Sequence, residues 1–138
     1  MQKFGLIGYP LGHSLSAIIH RAGFESLGLA ASYELLETSP EDLVDRVKFL
    51  KHEHYSGFNV TIPLKLPISL FVQEVDKYAD IAGAVNTVKI NPDKTFKGFN
   101  TDALGFKKAI PADIDLNGSN VALLGTGGAS RAAVLALS

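Results

Sequence analysis

The sequence predicts an α/β protein, a three-layer sandwich with a mainly parallel sheet, followed by the opening of a second α/β unit. Three observations carry this expectation. Short apolar or alternating runs recur at residues 3–8, 31–37, 58–62, 85–90 and 95–99, the lengths and patterns of strands. Segments with apolar residues at helical spacing lie between several of them, as a layered α/β architecture requires. Glycine, proline and small polar residues mark many of the joins.

The first strand, residues 3–8, ends at Gly8-Tyr9-Pro10-Leu11-Gly12, which forces a loop. Ser14 or Ser16 is expected to cap the helix that follows, running through Ile18, Ile19, Ala22 and Phe24 toward Gly28. Residues 31–37 read as the second strand. Ser39-Pro40-Glu41-Asp42 reads as a helix start, with a hydroxyl cap, proline at the first position and acids near the positive end of the helix. Leu43, Val47 and Leu50 continue it at helical spacing. The third strand, residues 58–62, stops at Pro63, and a helical stretch is expected over much of 65–80. Strands at 85–90 and 95–99 bracket Asn91-Pro92-Asp93-Lys94, a hairpin-like connection. A helix from about Thr101, containing Leu104, Phe106 and Ile110, closes this part.

Residues 111–118 break the pattern, and a new strand is expected at 120–124. It leads into Gly125-Thr126-Gly127-Gly128-Ala129-Ser130 and a helix. A glycine loop between a strand and a helix is the context that dinucleotide binding demands. There Gly125 permits the turn, Gly127 lets a pyrophosphate approach, and Ser130 takes the third, small position, while helix amides favour the phosphates. Arg131 either assists the phosphates or lies on the helix surface. One strand and one helix are only the start of a Rossmann domain, so the chain reads as part of a longer protein. Val121, Leu123, Val134 and Leu137 would then be apolar groups short of cover.

Composition narrows the function. An apolar fraction of 46% and a charged fraction of 20% support a packed core rather than disorder. Lys and Arg number 13 against 14 Asp and Glu, which leaves no basic field for a nucleic acid or an anionic membrane. There is no cysteine, hence no disulfide or thiolate chemistry. No apolar run approaches the ~20 residues that cross a bilayer. With no leader-like segment before the first strand, a cytoplasmic protein is the expectation.

The polar groups suggest a small-molecule site at the strand ends. Ser14 and Ser16 bring two hydroxyls to a helix start, suited to a carboxylate. In residues 58–62 a two-residue period sends Phe58, Val60 and Ile62 to one side and Asn59 and Thr61 to the other. Lys65 follows the strand closely, and Asn86, Thr87, Thr101 and Asp102 add polar groups where other strands begin or end. A lysine beside an aspartate is suited to proton exchange with a reacting hydroxyl. His52 and His54 are expected at the surface and His13 in the serine loop, with no metal site.

Several of these segments together resemble the shikimate dehydrogenase family. They are Gly8-Tyr9-Pro10-Leu11-Gly12-His13-Ser14-Leu15-Ser16, Asn59-Val60-Thr61-Ile62-Pro63-Leu64-Lys65, Gly83-Ala84-Val85-Asn86-Thr87, residues 98–106 from Gly98-Phe99-Asn100-Thr101-Asp102 onward, and Gly125-Thr126-Gly127-Gly128-Ala129-Ser130-Arg131. The resemblance implies a substrate-binding domain over 1–103, then a linking helix and the start of an NADP-binding domain over 104–138. It implies that Ser14 and Ser16 bind the carboxylate of shikimate or 3-dehydroshikimate. Asn59, Thr61, Lys65, Asn86, Thr101 and Asp102 would surround the ring, Lys65 and Asp102 would carry the catalysis, and Gly125, Thr126, Gly127, Gly128, Ala129, Ser130 and Arg131 would hold NADP. Two positions depart from the family pattern, Ala17 where proline is common and Arg21 where asparagine is common. A quinate/shikimate dehydrogenase of broader cofactor use and a noncatalytic small-acid binding module are the rival expectations.

Overall fold

The computed structural model describes residues 1–138. In chain order the elements are β1 (Gln2–Gly8), α1 (Ser16–Ser26), β2 (Ala31–Glu37), α2 (Leu43–His52), β3 (Gly57–Val60), a 3-10 turn (Pro67–Phe71) and β4 (Glu74–Val75). Then come α3 (Lys77–Ala82), β5 (Thr87–Ile90), β6 (Phe96–Phe99), α4 (Asp102–Ala109) and α5 (Gly128–Leu137). The six strands form one sheet in the order β2-β1-β3-β5-β6-β4. Pairs β1/β2, β1/β3 and β4/β6 are parallel, and the two pairs made by β5 are antiparallel, so β5 alone runs backwards.

The two-residue period of the strands separates two cores. On one face, Ile7, Phe58, Val60, Val88, Ile90 and Phe96 pack with Leu43, Val47 and Leu50 of α2, Ile68 of the 3-10 turn and Ala79 of α3. On the other, Leu6 and Tyr33 meet Leu11 and Ala17, with Phe4 and Phe24 at the margin. Leu6 and Ile7 are adjacent in sequence and belong to opposite layers, as the pleat dictates. Helices thus flank a mostly parallel sheet, the predicted sandwich. Helix α1 buries Ala17 while Ile18 and Ile19 stay about two-thirds exposed. At the two departing positions, Ala17 fills the smaller core and Arg21 donates to the Tyr33 carbonyl at 3.4 Å.

Several local expectations are corrected. The stretch 65–80 is not one helix. Pro67 starts a 3-10 turn, Val72 is extended, and Gln73 is drawn to the sheet edge by a main-chain bond to the Phe96 carbonyl and a side-chain bond from the Phe96 N–H at 2.7 Å. Only after Asp76, whose carboxylate accepts from Ala79 N–H at 2.7 Å, does α3 begin. Ile62 is 69% exposed, because β3 ends at Val60 and the chain has turned before Ile62. Helix α2 starts at Leu43, with Ser39 bonded to Asp42 ahead of it. Leu104 and Phe106 of α4 are each 42% exposed, and its one buried residue is Ala103. Residues 120–124 form no strand. No neighbouring strand pairs with them, and an unpaired strand leaves its peptide groups without a ladder.

Gly8 joins the ends of β1 and β3. A side chain there would collide with the Thr61 methyl and lie 2.9 Å from the Ile62 carbonyl oxygen, the same oxygen that accepts from Tyr9 N–H at 2.9 Å. Only glycine lets the two chain ends approach this closely.

Two outcomes follow from the larger core. Phe96 is fully buried and meets Phe58 edge to face at 5.4 Å, so Phe96→Ala should lower unfolding free energy by about 3–5 kcal/mol in urea titration. Tyr55 is buried and donates to Glu34 Oε2 at 2.9 Å. Burial, then the bond to Glu34, pushes its phenol from 10.0 up to about 12. The folded state therefore holds this proton after the unfolded chain has released it. The resulting stability is complete below pH 10.0 and is lost as pH climbs toward about 12. Chemical denaturation across that window should show a steeper loss for the parent than for Tyr55→Phe.

Candidate functional site

The face of the sheet that α1 covers is covered only in part. Beyond α1, at the ends of β1 and β3, a cleft of about 460 Å³ opens, lined by the 10–16 loop, Asn59 to Ile62, Lys65, Asn86 and Asp102. Each wall follows from local structure. Gly8 ends β1 against the Thr61 turn, and the loop after it returns Ser14 and Ser16 to the cleft at the start of α1. Neither serine side chain caps α1. Ser14 Oγ accepts from Ser16 N–H at 3.3 Å, and Ser16 is the first helical residue. Asn59 and Thr61 lie away from the larger core, as the alternation predicts.

At the far wall Lys65 Nζ lies 2.6 Å from Asp102 Oδ2, with the two side chains 17% and 33% exposed. Asp102 Oδ1 accepts from Asn86 Nδ2 at 2.7 Å, so both carboxylate oxygens have donors. An ammonium carries three N–H bonds, and one of those on Lys65 is used by Asp102. Asn86 is nearly buried. Its Oδ1 accepts from Thr101 N–H at 3.0 Å, and its Nδ2 reaches Thr101 Oγ1 at 2.8 Å. Asn100, buried at 1% exposure, accepts from Asp102 and Ala103 N–H and donates to the Ala84 carbonyl, which fixes the start of α4.

The reversal of β5 makes this assembly possible. It brings the beginning of β5, with Asn86 just before it, beside the end of β3, in the register Asn59 opposite Thr87. Ser14, Ser16, Asn59, Thr61, Lys65, Asn86 and Asp102 therefore share one cleft. Thr101 stands behind Asn86 and opens on an adjoining hollow with Lys65 and Asp102.

A second cleft, about 540 Å³, lies between Thr61 to Leu66 and the residues Gly127, Gly128, Ala129 and Ser130. Lys65 lines both clefts. A side chain on Gly128 would meet Lys65 Cβ at 3.0 Å and Cδ at 3.1 Å, so α5 rests directly on the lysine stem. Gly125 takes a left-handed φ of 120°, and Gly127 has open space where a Cβ would be. Glycines at the head of a ten-residue helix and facing a cleft leave room for a phosphate group at exposed amides. Gly125, Thr126 and Arg131 lie outside this lining. The Arg131 guanidinium sits instead near Gly83, the C-cap of α3.

Sequence reasoning missed Tyr33 and gave Thr87 no distinct part. Tyr33 is 2% exposed and donates to Asn59 Oδ1 at 2.7 Å. Burial raises its phenol well above the ordinary range. The available signal was a tyrosine at an inward position of a strand, whose hydroxyl needs a buried partner. His20 stacks on its ring at 4.0 Å. His13 lies in the serine loop at the cleft, and His52 is exposed beside Glu53.

Known proteins share this fold. Residues 6–88 match the family described as the shikimate dehydrogenase substrate binding domain. A shikimate dehydrogenase (NADP(+)) of Halothermothrix orenii is 44% identical over 98% of this chain and 48% of its own length. Shikimate dehydrogenase 1 of Peptoclostridium difficile superposes with a TM-score of 0.95 at 37% identity, over 99% of this chain and 51% of that one. Shikimate 5-dehydrogenase of Thermus thermophilus, solved with NADP(H) and shikimate, gives 0.83 at 39% identity, over 99% and 52%. The chain thus spans about half the length of the curated relatives it matches. By the match over 6–88 and the fold that carries it, this chain belongs to the shikimate dehydrogenase substrate-binding domain family.

Proposed function

We propose that the protein carrying this chain is an NADP-dependent shikimate dehydrogenase, reversibly reducing 3-dehydroshikimate to shikimate on the route to chorismate and the aromatic amino acids. The observation that carries the reading is the Lys65–Asp102 pair, 2.6 Å apart in a polar cleft, with Lys65 also lining the glycine-lined cleft beside it. Residues 1–103 are read as the substrate half, and 104–138 as the linking helix and opening of the cofactor half.

In this reading Ser14 and Ser16 donate to the substrate carboxylate at the start of α1, where the helix field favours an anion. Asn59, Thr61 and Asn86 meet the ring hydroxyls, Thr101 backs Asn86 from the adjoining hollow, and Asp102 accepts from one of the hydroxyls while holding Lys65. The residues Gly125, Thr126, Gly127, Gly128, Ala129, Ser130 and Arg131 are assigned to NADP, with Gly127 and Gly128 nearest the substrate cleft. NADPH, when bound, supplies the hydride that adds to the carbonyl carbon. Lys65 gives a proton from its ammonium to the carbonyl oxygen, which becomes the new hydroxyl, and regains it from water. In the reverse direction the neutral amine takes the hydroxyl proton. Alignment of the reacting groups is the larger part of what the residues contribute, because it replaces a chance encounter with a held geometry.

The test is oxidation of shikimate by the complete protein, following the reduced cofactor with NADP and NAD in parallel. Turnover with NADP is expected, and Lys65→Ala and Asp102→Ala should each lower kcat by roughly 10²- to 10⁴-fold, the usual range for a positioned acid–base group. Melting temperatures should stay close to that of the parent. Undiminished turnover in both variants would remove their assigned roles. Turnover mainly with NAD, extending to quinate, would favour a broader dehydrogenase, and a parent that binds shikimate without turnover would be a small-acid binding module.

A further inference from the structure

Thr87 stands between the two amides of the cleft. Its Oγ1 accepts from Asn59 Nδ2 at 3.0 Å and donates to Asn86 Oδ1 at 2.9 Å. An amide side chain offers an oxygen on one side and an NH₂ of nearly equal shape on the other, so only its partners decide which way it faces.

Here the partners leave one choice at each step. Asp102 accepts from Lys65, so Asn86 must turn Nδ2 toward the remaining oxygen, Oδ1, at 2.7 Å. The main-chain N–H of Thr101 can only donate, and it meets Asn86 Oδ1 at 3.0 Å, which demands the same orientation. Asn86 Oδ1 therefore faces Thr87, whose single hydroxyl hydrogen is spent on it. Thr87 then has lone pairs left for Asn59 and calls for Asn59 Nδ2. That turns Asn59 Oδ1 to Tyr33, whose buried hydroxyl donates to it at 2.7 Å. Direction thus runs unbroken from Tyr33 on β2, through Asn59 on β3 and Thr87 on β5, to Asp102 on α4.

We infer that Thr87 is a positioning residue: its hydroxyl relays the orientation that Asp102 and Thr101 impose on Asn86 across to Asn59, whose Nδ2 it holds together with the Asn86 main-chain carbonyl at 3.5 Å, with Tyr33 as the distant anchor. The inference deepens the shikimate reading and rests on it. A merely structural Thr87 would need only its branched shape at this point of β5. Valine keeps that shape and removes the hydroxyl, while serine keeps the hydroxyl and loses the methyl.

The experiment uses the complete protein and two readouts, the shikimate dissociation constant by calorimetry and the ligand-free side-chain amide NMR signals of Asn59 and Asn86. Thr87→Val should weaken shikimate about tenfold, the effect of losing roughly one hydrogen bond, and should shift both amide signals. Thr87→Ser should restore both readouts close to the parent. Thr87→Ala, read the same way, covers the case in which valine does not fold. Unmoved amide signals in the valine variant would overturn the inference, as would serine and valine weakening shikimate equally. A parent that fails to bind shikimate would instead overturn the substrate reading, and the amide signals would still decide the orientation of Asn59 and Asn86.

Discussion

A buried amide must find a partner for each polar atom, and Asn86, 7% exposed, is where this requirement organises the molecule. Its partners come from β5 itself, from the turn into α4 and from the side chain of Asp102. Satisfying one side chain thus ties a strand start, a helix start and the aspartate to each other. Lys65 enters the same knot through Asp102, and its own carbonyl accepts from Val85 N–H at 2.9 Å. Without Asn86 these pieces would still pack on the apolar core, but nothing in the apolar packing would decide where their polar ends meet.

The two faces of the sheet divide the labour. One carries a continuous apolar layer under α2, the 3-10 turn and α3, and supplies most of the buried hydrophobic side chains. The other has a smaller core beneath α1 and gives over the rest of its area to Asn59, Thr87 and their neighbours. Strand β5 shows the division inside four residues, with Val88 and Ile90 buried in the larger core and Thr87 and Lys89 directed away from it. Burial of apolar surface on the first face offsets the ordering of polar side chains on the second.

How much of this could be read in advance differs from place to place. The alternation in β1 and β3 was legible because a two-residue period needs no tertiary information, and it sends Asn59 and Thr61 away from the larger core. The residues of the cleft were legible through their motifs. Ile62 was misread, because alternation cannot report where a strand stops, and the stop lies in a close approach between Gly8 and a turn about fifty residues away. The stretch 65–80 was misread for a similar reason. Gln73 answers to Phe96, a partner that local spacing does not contain. The glycine loop was legible in residue type, but the strand expected before it was not formed, since a strand exists only as part of a pair. Tyr33 was invisible as a site neighbour, because the distance from β2 to β3 passes over β1 and is set by the sheet order alone.

The contact of Gly128 with the Lys65 stem has a mechanical meaning. The lysine is gripped at its tip by Asp102 and touched along its shaft by the first turn of α5. The lining of the glycine cleft is therefore coupled by direct contact to a side chain whose far end is already pinned. The main-chain bonds of the segment before α5 are local, whereas Tyr9 N–H, next to Gly8, bonds the Ile62 carbonyl directly. The stem of the lysine and its ammonium thus answer to two different helices, α5 along the shaft and α4 at the tip.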